Sequence, residues 1–333
     1  MPRALDEDDV RIRPGRGKSR PRTRDRPEHQ AARLGTVVAV DRGRFLVEMA
    51  DLSEHADPIG AVKARVLGRK GIVVGDRVEV VGVESAGPDS AARIVRRLER
   101  STVLRRSADD EDPTERVVVA NATQLAIVTA AANPDPNLGL IDRAVIAADD
   151  AGITVLIIVT KTDLAPSTMI RAAYQPLGID VLTVDDGVPE AGIRDRLTGE
   201  ITVVFGASGV GKSTLVNALI PDAMRTTGGV NAVTGKGRHT STSVRAIALP
   251  PRGWIIDTPG VRSLGLAHIA PTGIVHAFPD LPGVLDNCPR DCGHDSDDCA
   301  LLQWSRGQEA PVQARIASVC ELLADARRRT AAL

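Results

Sequence analysis

Aromatic side chains are nearly missing from this chain of 333 residues: one Tyr, two Trp and three Phe make 2% of it. Its cores must be built from Val, Leu, Ile and Ala instead. Long apolar runs are absent too. None approaches the ~18 residues a membrane helix needs, so no membrane partner is expected. The opening MPRALDEDDV is acidic and has no apolar stretch, which does not resemble a secretory signal. Cysteine is scarce, and its four positions (288, 292, 299 and 320) crowd into the last fifth of the chain. Without an export signal, such clustering favours a metal over disulfides, and the expected location is the cytoplasm.

Net charge is also small. A formal −1 balances 42 Lys and Arg against 43 Asp and Glu, but the distribution is uneven. RIRPGRGKSRPRTRDR, residues 11–26, carries eight basic residues and a single acid, Asp25. Residues 1–30 are therefore expected to be a disordered basic arm. A solvated tail and an RNA-contacting arm drawn to phosphates both fit that composition.

Residues 34–98 hold four or five short segments of strand character: GTVVAV, RFLVEMA, AVKARVL, GDRVEVVGV and ARIVRRL. Each is bounded by Gly, Asp or Pro, which predicts a small β-barrel. Oligonucleotide-binding and SH3-like barrels look alike at this level. Lys63, Arg65, Arg69 and Lys70 are candidates for an RNA face of that barrel. RRSADDEDPTER, residues 105–116, reads as a polar linker. From about residue 117, near-continuous Val/Ile/Leu strands alternate with helices, the pattern of a parallel sheet covered on both faces. The tail after residue 271 bears the Cys cluster and ends in the helical PVQARIASVCELLADARRR.

Three stretches carry chemistry. The first is GASGVGKST, residues 206–214, between the strand ITVVF and the helix STLVNALI. Its pattern G-x-x-x-x-G-K-[ST] is that of a phosphate loop. Gly206, Gly209 and Gly211 free the backbone N–H groups to curl around phosphates, with Ala207, Ser208 and Val210 between them. Lys212 reaches the β- and γ-phosphates, Ser213 offers a hydroxyl to Mg²⁺, and Thr214 follows. The second is GWIIDTPGV, residues 253–261. Asp257 ends a strand where it can hold Mg²⁺ through water, and Gly260 can donate its N–H to a γ-phosphate. Val261 stands where many signalling GTPases place a water-orienting Gln, so another group must orient the water. Between these motifs lies GKGRHTSTS, residues 235–243. Thr240 and Thr242 are both candidates to complete a Mg²⁺ shell. His239 reads either as a surface histidine or as a group that positions the attacking water.

The third stretch is TKTD, residues 160–163, at the carboxyl end of the strand ITVLIIV. A carboxylate there accepts from both the ring N–H and the exocyclic amine of guanine, and adenine lacks that amine. Asp163 is thus the candidate base reader, with the Lys161 stem over the base and Thr160 and Thr162 flanking. It precedes Gly206 by 43 residues (206 − 163), so the usual order of the motifs is reversed. Parallel strands deliver their carboxyl ends to one edge whatever their order, so a cut and rejoined nucleotide fold is feasible.

The order TKTD, GASGVGKS, GRHTST, DTPG resembles the circularly permuted GTPases. With a β-rich N-terminal region and a Cys/His tail, it resembles the ribosome small-subunit-dependent GTPase family (RsgA/YjeQ type) over roughly residues 31–325. The resemblance implies an α/β fold: an oligonucleotide-binding barrel at 31–104, a circularly permuted GTPase domain at 105–270, and a zinc-binding, α-rich domain at 271–333. It implies GTP hydrolysis stimulated by the 30S subunit during its late maturation. The implied partners are 30S particles, 16S rRNA and GTP/GDP, with Mg²⁺ beside the nucleotide and a monomeric protein. It also implies a water-positioning role for His239. A P-loop ATPase or small-molecule kinase, and an RNA-binding scaffold holding nucleotide structurally, are the rival classes.

The chain departs from the family pattern in three places. Thr160 stands where Asn is usual, and loss of that carboxamide is expected to weaken the bracing of the phosphate loop. No clear Ser-Ala guanine contact is visible in VLTVDDGV. Cys288, Cys292, His294 and Cys299 have the spacing C-x3-C-x-H-x4-C, both outer gaps one residue shorter than usual. Three thiolates and an imidazole can close a tetrahedral, structural Zn²⁺ shell. Cys320, within ASVCELL, is expected in a helix core.

Overall fold

In the computed structural model, the described residues are 32–50, 57–68, 71–84, 91–107, 115–221, 244–258, 261, 263–290, 292–294 and 296–331. The basic arm, Arg69 and Lys70 lie outside them.

The N-terminal strands are β1 (Arg33–Asp41), β2 (Arg44–Met49), β3 (Ile59–Lys63), β4 (Arg77–Val81) and β5 (Ala92–Arg97). Alternate residues of β2 and β4 are buried, so one face of each strand fills a core of Val37, Phe45, Val47, Val78, Val80 and Ile94. β1 pairs with both β2 and β4, while β3 pairs with β5 in parallel. The strands close in the order β1-β2-β3-β5-β4-β1. That is the oligonucleotide-binding barrel, which resolves the choice against the SH3-like alternative. The expected strand AVKARVL is shorter, since Arg65–Leu67 forms a 3₁₀ turn.

The stretch read as a polar linker is a correction. Its ends are strands, β6 (Val103–Ser107) and β7 (Glu115–Ala120), paired antiparallel. Glu115, polar in sequence, is buried. Its carboxylate accepts the Ala267 N–H at 2.9 Å and lies 2.5 Å from His268 Nδ1, an ion-pair approach and not an aligned hydrogen bond.

The central sheet comprises β8 (Gln124–Ala130), β9 (Thr154–Thr160), β10 (Asp180–Asp185), β11 (Val188–Pro189), β12 (Ile201–Phe205), β13 (Arg245–Ala248) and β14 (Trp254–Asp257). β10, β9, β8, β12 and β14 are mutually parallel in that order. The parallel reading fails for β13, which runs antiparallel to β14 and to β1. Through β13 the barrel and the central sheet form one 12-stranded sheet.

Alternation along these strands builds two cores, as period-2 burial on both faces requires. Leu125, Ile127, Ile157, Val159 and Phe205 face one side, with α1 (Leu138–Asp150) and α2 (Thr168–Tyr174). Ala126, Val128, Leu156, Ile158 and Val204 face the other, with α3 (Ala191–Leu197) and α4 (Lys212–Leu219). The Asn137 side chain caps α1 by accepting the Leu140 N–H at 3.0 Å.

The C-terminal part has α5 (Pro271–His276), α6 (Pro282–Leu285), α7 (Ala300–Ser305) and the long α8 (Ala310–Ala331). α8 packs on α1, α2, α5 and α7. A polar knot sits in that interface. Tyr174 Oη donates to Asp142 Oδ1 at 2.8 Å, and Arg315, 1% exposed, pairs with Asp280 and lies 5.4 Å from the centre of the Phe278 ring. Burial pushes the Asp142 carboxyl up to about 7, against hydrogen bonds from Ser318 and Tyr174 and the charge of Arg315.

Candidate nucleotide site and metal centre

The parallel strands deliver their carboxyl ends to one rim. β9 runs out into Lys161–Asp163, β12 into Gly206, and β14 ends on Asp257. The first two are joined directly: Thr160, 3% exposed, donates through its hydroxyl to the Val210 carbonyl at 2.5 Å. Gly206 is the residue that the loop geometry demands. A Cβ there would sit 2.1 Å from the Val128 carbonyl of β8, so the loop crosses β8 only with glycine in place. Gly209 and Gly211 have φ of +78° and +94°, where side chains are strained.

Lys212 heads α4, and its ammonium donates to the Gly206 and Ala207 carbonyls, each at 2.7 Å. Burial lowers its pKa, against the nearby charge of Asp257. Asp257 responds in the opposite sense: burial raises its pKa, while the Lys212 charge and the Thr258 N–H pull it down. Ser208, Gly209, Ser213 and Thr214 are exposed, so the outer face of the loop and both helix-start hydroxyls are open. These residues fit a nucleotide with Mg²⁺. A hydroxyl and a carboxylate are available beside a cationic, N–H-rich cradle at a helix start.

On the β9 side, Asp163 is exposed and Lys161 has φ of +56°. The Lys161 ammonium donates to the Asn133 carbonyl, tying the loop after β8 to the same motif. The Thr162 hydroxyl donates to the Val184 carbonyl at 3.2 Å, which fastens the end of β10 beside it. A Cβ on Gly187, in the turn after β10, would lie 3.6 Å from the Thr214 methyl. Asn133, Val184 and the turn at 185–187 therefore border the rim, although their sequence carries no motif to single them out. Only the strand ends preceding them hinted at their place. Val261 is buried at 8% exposure, an aliphatic group turned into the core. His239, Thr240, Thr242 and Gly260 lie outside the described residues.

The Cys/His cluster assembles despite its short spacing. His294 Nδ1 is 3.9, 3.6 and 3.5 Å from the sulfurs of Cys288, Cys292 and Cys299, and Cys288 and Cys299 are 4.0 Å apart. A tetrahedron with Zn–S near 2.3 Å and Zn–N near 2.05 Å has S···N edges of about 3.6 Å and S···S edges of about 3.8 Å. The donor set fits zinc in kind and in size. His294 takes φ of +60°, which turns the chain within the compressed stretch. Burial pushes the Cys299 thiol up to about 11, so a metal that takes it as thiolate must displace a proton. Arg327 of α8 donates to the Cys292 carbonyl and places a guanidinium nitrogen 3.2 Å from His294 Nε2. Its charge offsets the excess of three thiolates over one Zn²⁺. Nothing in the sequence pointed to Arg327, 33 residues from its imidazole. Cys320 is buried in α8 as expected.

A model of the RsgA GTPase family matches residues 97–267. The chain belongs to the RsgA GTPase family. Membership makes it a GTP hydrolase and implies guanine-nucleotide binding. Relatives include the small ribosomal subunit biogenesis GTPase RsgA of Pseudomonas syringae pv. syringae, 38% identical over 70% of this chain and 68% of its own. The protein of that name from Pseudomonas aeruginosa strain LESB58 is 38% identical over 70% of this chain and 69% of its own. Among solved structures, YjeQ from Thermotoga maritima shares the fold, with a TM-score of 0.63 at 23% identity over 89% of this chain and 99% of that one. YloQ, described as a circularly permuted GTPase, shares it with a TM-score of 0.62 at 24% identity over 91% and 98%. An RsgA-family GTPase with a permuted order of motifs accounts for TKTD preceding the phosphate loop.

Proposed function

We propose that this RsgA-family chain hydrolyses GTP in late maturation of the 30S ribosomal subunit, acting as a cytoplasmic monomer that touches 16S rRNA. The observation that carries the nucleotide half of this reading is the direct Thr160–Val210 contact, since it brings the end of TKTD against the phosphate loop. The ribosomal half rests on the relatives' names, and an oligonucleotide-binding barrel in the same sheet supports it.

In this reading the N–H groups of Gly206–Gly211 and the Lys212 ammonium hold the β- and γ-phosphates. Asp163 reads the guanine edge, with the Lys161 stem over the base and Thr160 and Thr162 fixing the motif. Ser213, Asp257 and a hydroxyl of Thr240 or Thr242 surround Mg²⁺, which neutralises charge on the phosphate oxygens when bound. Gly260 senses the γ-phosphate. His239 orients the attacking water, a task that the buried Val261 leaves vacant. Cys288, Cys292, His294 and Cys299 hold a structural Zn²⁺ that fixes the C-terminal helices. No helix among the described residues is long and apolar enough to cross a membrane.

Turnover of GTP and ATP, each with and without purified 30S subunits, tests the proposal. GTP alone should be cleaved, slowly in isolation and faster with 30S. Equal use of ATP would indicate a P-loop ATPase, and no turnover even with 30S would indicate a scaffold.

A further inference from the structure

Cysteines that only hold a structural metal are inert when they are buried away from solvent. The Cys/His cluster is open on one side. A cleft of about 390 Å³ meets it there, lined in part by Cys288, Cys292 and His294. A single metal ion needs a small fraction of that volume, since even a water's share is ~30 Å³. Val275, Leu285 and Leu323 give the cleft apolar walls, and Arg327 adds a cation. Cys299 is fully buried, at 0% exposure, whereas Cys288 is half-buried and lines the opening. A small oxidant entering the cleft thus meets Cys288 before Cys299. The two sulfurs are 4.0 Å apart. Cys292 has less freedom to approach either of them, because Arg327 holds its carbonyl.

We propose that the metal centre is also a peroxide-sensitive switch, in which oxidation joins Cys288 to Cys299. This rests on the zinc reading above, because coordination keeps both sulfurs as thiolates. The Cys288 thiolate attacks hydrogen peroxide, breaks the O–O bond and becomes a sulfenic acid, releasing hydroxide. The Cys299 thiolate then attacks that sulfur, forms the S–S bond and releases a second hydroxide. The two thiolates lose two electrons in total, and the peroxide gains them. The sulfurs have to close from 4.0 Å to about 2.05 Å. Cys292 and His294 alone are too few to retain the metal in a tetrahedral shell. Cys299 leads into α7, which packs on α8, so the shift reaches the C-terminal helices. Such a disulfide is transient in a reducing compartment, where exchange with a thiol reverses it.

The test exposes the full-length, zinc-loaded protein to hydrogen peroxide. A chromogenic chelator follows metal release, and peptide mapping locates the disulfide. About one zinc per chain should be released, and the denatured chain should lose about 2 Da. Mapping should link Cys288 to Cys299 and find Cys292 and Cys320 reduced. A thiol reductant with added zinc should restore the original melting profile. Val275→Phe narrows the cleft without replacing a ligand. It should bind zinc like wild type and release it roughly tenfold more slowly under peroxide. Zinc retained under peroxide would overturn the proposal, as would release with sulfinic or sulfonic acids in place of a disulfide. A link between any other pair would overturn the assignment of Cys288 and Cys299. Release from Val275→Phe at the wild-type rate would overturn the role of the cleft. If Val275→Phe does not fold, mapping of the wild-type chain decides alone. A chain that binds no zinc before peroxide is added would instead overturn the zinc reading.

Discussion

The nucleotide rim and the Cys/His cluster solve one problem, gathering polar groups, in opposite ways. The cluster draws four ligands from twelve consecutive residues, 288 to 299. A local turn brings them together, and their donor atoms lie within 4.8 Å of one another. The rim draws Asp163, Lys212 and Asp257 from across 95 residues (257 − 163 + 1). No local turn relates them, and the common direction of β9, β12 and β14 does the work. A site of the first kind depends on loop length, so the residue missing from each outer gap has to be absorbed locally, where His294 takes φ of +60°. A site of the second kind depends on strand polarity, so reordering the chain leaves it intact.

The largest expected effect breaks the cluster. Zinc contributes on the order of 10 kcal/mol in small zinc-finger peptides. Chelation, or Cys299→Ser, should lower the melting temperature of the C-terminal helices by roughly 10 °C or more. Scanning calorimetry with metal analysis would show it. If the two sites are independent, GDP affinity should change far less than melting does. Next comes Lys212→Ala, which removes the cation of the cradle. Titration calorimetry should find GTP and GDP affinity reduced by about 100-fold or more, with zinc content unchanged.

Asp163→Asn sharpens the comparison within the rim. It replaces an acceptor of two charge-assisted hydrogen bonds by an amide, and should cost GTP about 100-fold while sparing the phosphate contacts. Unchanged preference for guanine over adenine would remove Asp163 from base recognition. His239→Ala should slow single-turnover hydrolysis by about 100-fold with nucleotide affinity kept, because general acid–base and water-positioning groups act on the transition state.

The smallest effect concerns neither site but the segment between them. His268 Nε2 is 2.8 Å from Asp150 Oδ2, and its other nitrogen faces Glu115. Burial lowers its pKa, but the hydrogen bond with Asp150 and the negative charges of Asp150 and Glu115 outweigh that and raise it to about 9. A raised histidine stabilises the fold fully below its ordinary value near 6.5, and the gain disappears as pH rises through about 9. Discounted for partial exposure, the loss should be about 1–2 kcal/mol. Urea melts across that interval should show it in wild type and not in His268→Gln.

Much of this arrangement was legible in the residues. The phosphate loop, TKTD and the ligand spacing are local patterns with one dominant physical use each. Strand periodicity gave the barrel and the central sheet, because alternation or continuous burial is written into each segment. The illegible parts are all long-range. Glu115 looked like linker because its partners, Ala267 and His268, come about 150 residues later. β13 could not be oriented from its own four residues. Thr160 looked like a weakened motif until the Val210 carbonyl, 50 residues away, appeared opposite its hydroxyl. Arg327 was one more base on a helix whose docking face only the folded chain defines.

The backbone at Arg245 is in register with Asp257 on one side and with Ala39 on the other. Two inter-strand spacings, about 10 Å, therefore separate the carboxylate at the end of β14 from the barrel wall. Peptide ladders have little slack in the hydrogen-bonding direction, so tension applied to the barrel from outside reaches the backbone of Asp257 across two consecutive rungs.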